Sequence, residues 1–324
     1  MLTFVDLFCG GGFGARGAIA AGGIPLLGVD AWPLATQTYK ANFPEAEVIC
    51  SPIEKLDPYE LSKFFKPDVL LTSPECTSHS IARGAKPGCE QSRETAIGIM
   101  DWLEAMDPRW LIVENVNRMK KWNRHQELVR SIEGAGYRVS DLFLNAADFG
   151  APQSRKRLFL VCDKYGSKIK AAELKALHRR RNQTARDILS PNGRFPSSPL
   201  SKPGRAPATL ERAGRAISEL GEGIDFIIVY YGSDYAGGWQ SLDVPLRTVT
   251  TLDRFGLVTW REGEPYLRML QPEELLRAMG AKRHSLTFGN RRDKIKLCGN
   301  GVCSPVVEMI FRKLTQIQKQ DIAA

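Results

Sequence analysis

No apolar stretch in the 324 residues approaches the roughly 20 needed to cross a bilayer as a helix, so no membrane-spanning helix is expected. A basic leader is missing as well. Residues 1–8 carry no Lys or Arg and are interrupted by Asp6, which reads as a strand rather than a secretory signal. The seven cysteines include no C-x-x-C pair. Cys298 and Cys303 stand five apart with no matching second pair, so a zinc site is not expected. Reducing cytoplasm is the expected compartment. There is no internal repeat. Hydrophobic residues at 43% and charged residues at 25% exclude wholesale disorder and collagen-like chains. The length allows one large domain or two smaller ones, with ample core.

Acidic residues are scarce in one place only. Residues 164–220 hold 13 Lys/Arg and 4 Asp/Glu, and this segment carries the whole net charge of +9. It includes Arg179, Arg180 and Arg181, then Arg194, Lys202, Arg205, Arg212 and Arg215. A localised basic region suits a polyanion, most often nucleic acid. A solvated helix face followed by a loose loop gives the same count.

The first half alternates short apolar runs with helical patterns. Strands are expected at 2–8, 25–29, 69–73, 110–116 and 157–162, and helices at 33–42, 95–106 and 123–134. That alternation predicts an α/β fold with a doubly wound, mostly parallel sheet, whose ligands bind beyond the carboxyl ends of the strands. After residue 162 the pattern changes. A basic helix is expected at 171–181 and an irregular, proline-rich stretch at 190–210. Strands return at 226–231, 246–251 and 257–260, and helices at 272–279 and 305–319. The expected division is 1–164, a small second domain at 165–265, and a C-terminal segment at 266–324 that packs back on the first.

Four clusters carry chemistry. Asp6, Phe8, Cys9, Gly10, Gly11 and Gly12 close the first strand and open a helix, and glycines there let backbone N–H groups approach a ligand. Asp30 ends the second strand, where an acid suits ribose hydroxyls. Tight strand–helix packing asks for the same turn. Ser73 to Ser80 places Cys76 on a loop at the ligand end of the sheet; a thiolate is the best side-chain nucleophile near neutral pH, and a small buried cysteine is the plainer alternative. Glu114 ends a very apolar strand, so its pKa should rise toward a value useful for proton donation, unless it is simply a salt-bridged strand end. Gln153, Arg155 and Arg157 precede another strand. In extended chain the two arginines share a face, as a fork for phosphate or base, or as a basic loop edge.

Taken in order, these clusters resemble the DNA (cytosine-5) methyltransferases over nearly the whole chain. Phe8, Gly10 and Gly12 match the family's Phe-x-Gly-x-Gly, Cys76 and Ser80 its nucleophile loop, Glu114-Asn115-Val116 its Glu-Asn-Val, and Gln153, Arg155 and Arg157 its Gln-x-Arg-x-Arg. Tyr39, Asn42 and Phe43, the run from Arg268 to Glu274, and Gly299-Asn300-Gly301-Val302 match as well. The resemblance implies a class I S-adenosylmethionine methyltransferase fold with a small, irregular target-recognition domain. It implies S-adenosylmethionine as cofactor, double-stranded DNA as partner, a monomer held to the nucleoid, and a cognate restriction endonuclease as genetic partner.

The resemblance also implies roles. Cys76 adds to C6 of a flipped cytosine, Glu114 holds N3 and N4, and Arg157, helped by Arg155, contacts the flipped nucleotide. The cofactor lies over Asp6 and Phe8 to Gly12, with Asp30, Ala31, Pro52, Ile53, Ser73, Asn300 and Val302 around it. DNA contacts fall to Ser80, Arg83, Lys86, Gln153, Arg179, Arg180, Arg194, Lys202, Arg205, Tyr231, Arg247, Thr248 and Thr250. Tyr230–Gly232 and Gly237–Trp239 are either groove-facing loops or core aromatics. The sequence departs from the family at Glu75 and Thr77, where Pro and Gln usually flank the nucleophile, and Glu75 raises the thiol pKa unless Arg83 or Lys86 offsets it. Ala31 stands where an aromatic usually stacks on the cofactor, with Trp32 one later; Pro52 stands where an acid usually reads the adenine amino group, with Glu54 nearby; and Glu273 stands where Arg is frequent. An RNA cytosine methyltransferase and a non-catalytic DNA-binding relative are the competing readings.

Overall fold

Strands buried on both faces must be apolar at successive positions, and β5 (Trp110–Asn115) shows this most plainly. Trp110 and Ile112 enter one core, and Leu111 and Val113 the other. The structure is a computed structural model that describes residues 1–74, 91–116, 125–178, 181–232 and 237–323, with only the backbone of 91–97. The central seven-stranded sheet adds β1 (Thr3–Leu7), β2 (Ile24–Asp30), β3 (Glu47–Cys50), β4 (Val69–Thr72), β6 (Arg138–Asn145) and β8 (Lys156–Asp163); the two-residue β7 (Gln153–Ser154) lies outside it. Spatial order is β3-β2-β1-β4-β5-β8-β6. β1 to β5 are mutually parallel, and β8 runs antiparallel to both β5 and β6. The order reverses between β1 and β4, which opens a crevice at their carboxyl ends.

Helices α1 (Phe13–Ala20) and α2 (Pro33–Asn42) cover one face, and α4 (Gln91–Met106) and α5 (His125–Gly134) the other; the short α3 (Pro58–Leu61) packs on α4. Pro33 opens α2 at its first turn, where a missing N–H costs nothing. The C-terminal α10 (Ser304–Ala323) lies on α1. Ser304 Oγ donates to the Phe13 carbonyl at 2.7 Å, and Gly17 has no room for a Cβ against the Ser304 backbone.

The second sheet has the order β11-β10-β13-β14-β9, built from β9 (Ser198–Pro199), β10 (Phe226–Val229), β11 (Trp239–Ser241), β13 (Phe255–Arg261) and β14 (Glu264–Met269). α7 (Pro207–Leu220) covers one face through Ala213 and Ala216, over Leu200, Phe226, Ile228, Val258 and Leu267. The opposite face, with Ile227, Val229, Phe255 and Leu257, joins the main core. β12 (Leu246–Arg247) leaves this sheet and pairs in parallel with β7.

Both expected boundaries shift. The cut at 265 falls inside the β13–β14 hairpin, whose turn residues Glu262 and Gly263 take positive φ, so the second sheet continues to Met269. The cut at 165 precedes α6 (Ala171–Leu177), which belongs with the first unit: Leu174 enters the main core, and Glu173 meets Lys313 of α10 at 2.6 Å. α6 stops at Leu177 rather than at 181, because His178 is extended. The stretch expected to be irregular to 210 gives way to helix α7 at Pro207. The remaining helices are α8 (Pro272–Ala278) and α9 (Arg291–Asn300), which pack on each other, and Leu297 of α9 reaches the Gly11 position after β1.

Candidate active site

The turn after β1 is set by glycine geometry. Phe8, Gly10 and Gly12 all take positive φ. A Cβ on Gly12 would drive into the Phe43 ring, whereas one on Gly10 would meet nothing within 4 Å. Gly12 is therefore a packing glycine, and Gly10 faces open space. Cys9 N–H donates to Val29 O at 3.0 Å and Gly12 N–H to Cys9 O at 2.9 Å, which pins the turn to β2. Asp30 completes it: Gly10 N–H donates to Oδ2 and Trp32 N–H to Oδ1, each at 2.8 Å. Burial raises the Asp30 carboxyl above its usual range, against the pull of those two N–H groups and of Lys296. The Cys9 thiol is buried and pushed up by burial, then by Asp6 and Asp30, so it is not a second thiolate.

Asp6 is 3% exposed, and its Oδ2 has no hydrogen-bond partner among the described residues. Burial first, and Asp30 second, lift its pKa well above the usual value. An unpartnered acid beside an open glycine cradle fits a ligand rich in hydroxyl and amino donors. The raised pKa means that folding costs nothing extra below the unfolded-state pKa. The cost grows as pH climbs through the folded value and is complete above it. Asp6→Asn is thus expected to raise the melting temperature at pH 8 but not at pH 4. It is also expected to weaken cofactor binding by roughly tenfold or more, the loss typical of a hydrogen bond to a charged group. Calorimetry at the two pH values, with and without ligand, checks both.

The other expected cofactor residues gather around this turn. Ser73 N–H donates to Leu7 O, and its Oγ donates to Phe8 O at 3.1 Å. Ala31 and Pro52 are exposed at the ends of β2 and β3, while Ile53 is buried in the core beneath. Val302 is buried within reach of Gly14, and Leu297 of α9 reaches Gly11, which leaves Asn300 exposed at the helix end.

At the carboxyl end of β5, Glu114 is 7% exposed, and Arg157 Nε lies 3.3 Å from its Oε1. Burial raises the Glu114 pKa, opposed first by Arg157 and then by Arg155. Asn115 Nδ2 donates to the Pro74 carbonyl at 3.5 Å. Pro74, two residues before Cys76 in sequence, is therefore fastened to the neighbour of Glu114. Cys76 itself, with Ser80, Arg83 and Lys86, lies outside the described residues.

Arg155 does not share the face of Arg157. It is 4% exposed; Nη1 donates to Val249 O at 2.9 Å and Nη2 to Gly299 O at 2.8 Å. The expected nucleotide contact is corrected on this ground: residue 155 falls between β7 and β8, where the chain changes partners, and strand alternation does not carry across. Gln153 is also misplaced as a DNA contact. It is fully buried, donates to Ala278 O at 3.2 Å and accepts from Val249 N–H at 2.8 Å. Thr248 Oγ1 donates to Ser154 O, Tyr231 Oη to Thr248 O and Thr250 Oγ1 to Leu252 O, so these hydroxyls serve internal ties.

Much of the basic segment is internally paired. Arg181 meets Asp187 at 2.8 Å, Arg186 meets Asp243 at 2.8 Å and Arg194 meets Glu273 at 3.0 Å. Arg205 donates to Leu200 O, Ser198 Oγ and Pro199 O, and Arg247 donates to Trp239 O. Lys202 is exposed, and Arg179 and Arg180 lie outside the described residues. Sequence reasoning missed the physical role of Glu274, which is fully buried. Arg268 grips it with two bonds of 2.7 Å, and the N–H groups of Ser190 and Gln271 donate to it. Burial pushes its carboxyl up, yet these donors together bring it below the usual range. The signal was present as the Arg268–Glu274 spacing. Among the described residues, no cluster of three or more His, Cys, Asp or Glu could hold a metal, and no helix is long and apolar enough to cross a membrane.

A seven-stranded sheet with one reversed strand beside its edge, a glycine turn after β1 and an acid after β2 define a class I methyltransferase fold. Residues 2–316 match the sequence pattern of the C-5 cytosine-specific DNA methylase family, and the chain belongs to that family. It is 32% identical over 176 residues to the type II methyltransferase M1.HphI of Haemophilus parahaemolyticus, covering 52% of this chain and 47% of that protein. It is 28% identical to the type II methyltransferase M.AplI of Arthrospira platensis, over 84% of this chain and 71% of that protein. The chain thus spans about half the length of M1.HphI. The S. pombe Dnmt2 methyltransferase shares the fold, with a TM-score of 0.69 at 16% identity, over 98% of this chain and 99% of that one.

Proposed function

We propose that this chain transfers the methyl group of S-adenosylmethionine to C5 of a cytosine flipped out of double-stranded DNA. The observation that carries the reading is the buried Glu114, its Nε partner Arg157 and the Pro74 carbonyl bound by Asn115, all at the carboxyl end of the parallel strands that also carries the Gly10 turn. When bound, the sulfonium cofactor supplies an electrophilic methyl carbon. Asp30, the unpartnered Asp6, the Gly10–Gly12 turn, Ser73, Asn300 and Val302 would hold it. The Cys76 thiolate forms a bond to C6 of the base, and the electron pair displaced from the C5–C6 double bond makes C5 nucleophilic. In its protonated form Glu114, whose pKa burial raises against the pull of Arg157 and Arg155, donates to N3 and draws charge toward it. Arg157 orients that carboxyl and reaches toward the nucleotide. Once C5 is methylated and S-adenosylhomocysteine is left behind, the C5 proton is lost to water, the C5–C6 double bond reforms, the N3 proton returns to Glu114 and the thiolate leaves.

The turn, Glu114 and Pro74 belong to one chain, so the proposed site needs no residue from a second copy. The relatives' type II designation supports a restriction–modification setting with a cognate endonuclease as genetic partner. Labelled methyl transfer to duplex DNA and to tRNA, followed by bisulfite sequencing of DNA from expressing cells, tests the reading. Transfer to C5 of cytosine in DNA within a fixed context is expected; transfer to tRNA alone would replace DNA by RNA as the substrate.

Docking on DNA should depend on salt, though less steeply than the raw charge suggests, since Arg181, Arg186 and Arg194 are already paired with acids. With three phosphate contacts, affinity falls about 40-fold between roughly 50 and 200 mM salt. Fluorescence anisotropy of a labelled duplex measures this, and a flat response would remove the basic segment as the docking surface.

A further inference from the structure

We propose that Arg155 is a positioning residue that couples the target-reading region to the wall of the cofactor pocket. The inference rests on the methyltransferase reading above. The Arg155 guanidinium is buried, and its two bonds go to backbone carbonyls from separate parts of the chain. Val249 lies two residues beyond β12, which pairs with β7. Gly299 lies at the end of α9, next to Asn300 and Val302. Between them there is no slack: a Cβ on Gly299 would overlap the backbone of Thr250 and Thr251.

The surrounding bonds tighten the same junction. Val249 N–H donates to Gln153 Oε1 at 2.8 Å, Thr248 Oγ1 donates to Ser154 O at 2.9 Å, and Gln153 Nε2 donates to Ala278 O at 3.2 Å. Tyr231, two residues beyond β10, donates its hydroxyl to Thr248 O at 2.8 Å. Any displacement of residues 248–251 is therefore passed to Gly299 and on to Asn300 and Val302. Two residues along from Arg155, Arg157 holds Glu114. One short segment thus touches the reading region, the cofactor wall and the acid of the base pocket.

Burial, and then Arg157, lower the Arg155 pKa to about 10, which still leaves it cationic at neutral pH. Its two guanidinium donors are satisfied by the Val249 and Gly299 carbonyls. Replacement by methionine leaves both carbonyls buried and unsatisfied, and lysine restores one of them at most. The tie acts on the relation between two ligand sites rather than on either site alone, so its signature is a coupling factor.

The test measures duplex DNA affinity with and without S-adenosylhomocysteine, using the sequence context that bisulfite sequencing identifies. Wild type, Arg155→Lys, Arg155→Met and the milder Thr248→Val are compared, with thermal melts as the check on folding. The wild-type factor is expected to lie within about five- to 150-fold. It should fall toward one in Arg155→Met, with intermediate values in Arg155→Lys and Thr248→Val and with each ligand's separate affinity changed far less. The kinetic counterpart is a lowered kcat with KM for DNA nearly unchanged. Should Arg155→Met fail to fold, the two milder variants decide. A wild-type factor retained in folded variants, or a wild-type factor of one, overturns the tie while leaving the methyltransferase reading intact. A wild-type protein that binds neither ligand overturns that reading and the tie with it.

Discussion

A Cys76→Ala variant is expected to lose methyl transfer by on the order of 10⁴- to 10⁶-fold, the scale seen when a covalent enzyme loses its nucleophile. Its affinity for duplex DNA should stay close to wild type. Cytosine C5 has too little electron density to attack a methyl group until a nucleophile adds at C6, and alanine offers none. The phosphate contacts that dock DNA do not involve the sulfur. Filter-retention of tritiated methyl groups, run beside anisotropy on the same duplex, separates the two effects. Full methylation by the alanine variant would refute Cys76 as the nucleophile. Glu75 also leaves a mark unless Arg83 or Lys86 offsets it, because an adjacent negative charge opposes ionisation of the thiol. Glu75→Pro is therefore expected to shift the acidic limb of the pH–rate profile to lower pH.

Glu114→Gln should slow turnover by about two to four decades. Glutamine keeps the shape and can still hydrogen-bond the base, but it delivers no proton to N3. The sign of the pH effect follows from the raised Glu114 pKa. The acid is in its working form below that value and is lost as pH rises through it. Wild-type kcat should therefore climb as the thiol ionises and fall as Glu114 deprotonates. The glutamine variant should lack the falling limb while keeping the rising one. Stopped-flow or steady-state rates across pH 5 to 9 measure the two limbs. Unchanged turnover in Glu114→Gln would remove it from the catalytic set.

Features that depend on local chemistry were readable in the sequence. The uninterrupted apolar run of β5, the proline that opens α2 and the glycine turn after β1 all sit where the residues place them. β6 was not read, because Ser140 and Asp141 interrupt its apolar pattern and its buried positions only partly alternate with exposed ones. Prolines at 199, 203 and 207 masked α7, although Pro207 is its first residue and Ala213 and Ala216 mark its buried face. The inward turn of Arg155 depends on β7 and β8 joining different sheets, which no local pattern encodes. The charge pairing was equally hidden: Arg186 finds Asp243 57 positions away, and Arg194 finds Glu273 79 positions away. A basic count read along the chain overstates the charge left for DNA.

The most direct measurement uses a duplex in which the target base is 5-fluorocytosine, incubated with S-adenosylmethionine and digested for mass spectrometry. Fluorine at C5 does not leave as a proton does, so the reaction stops with the protein still bonded to C6. The account predicts one cross-linked peptide, the one that contains Cys76, carrying the methylated fluoropyrimidine. A cross-link through any other residue, or a duplex that is bound and methylated with no covalent adduct, would contradict it.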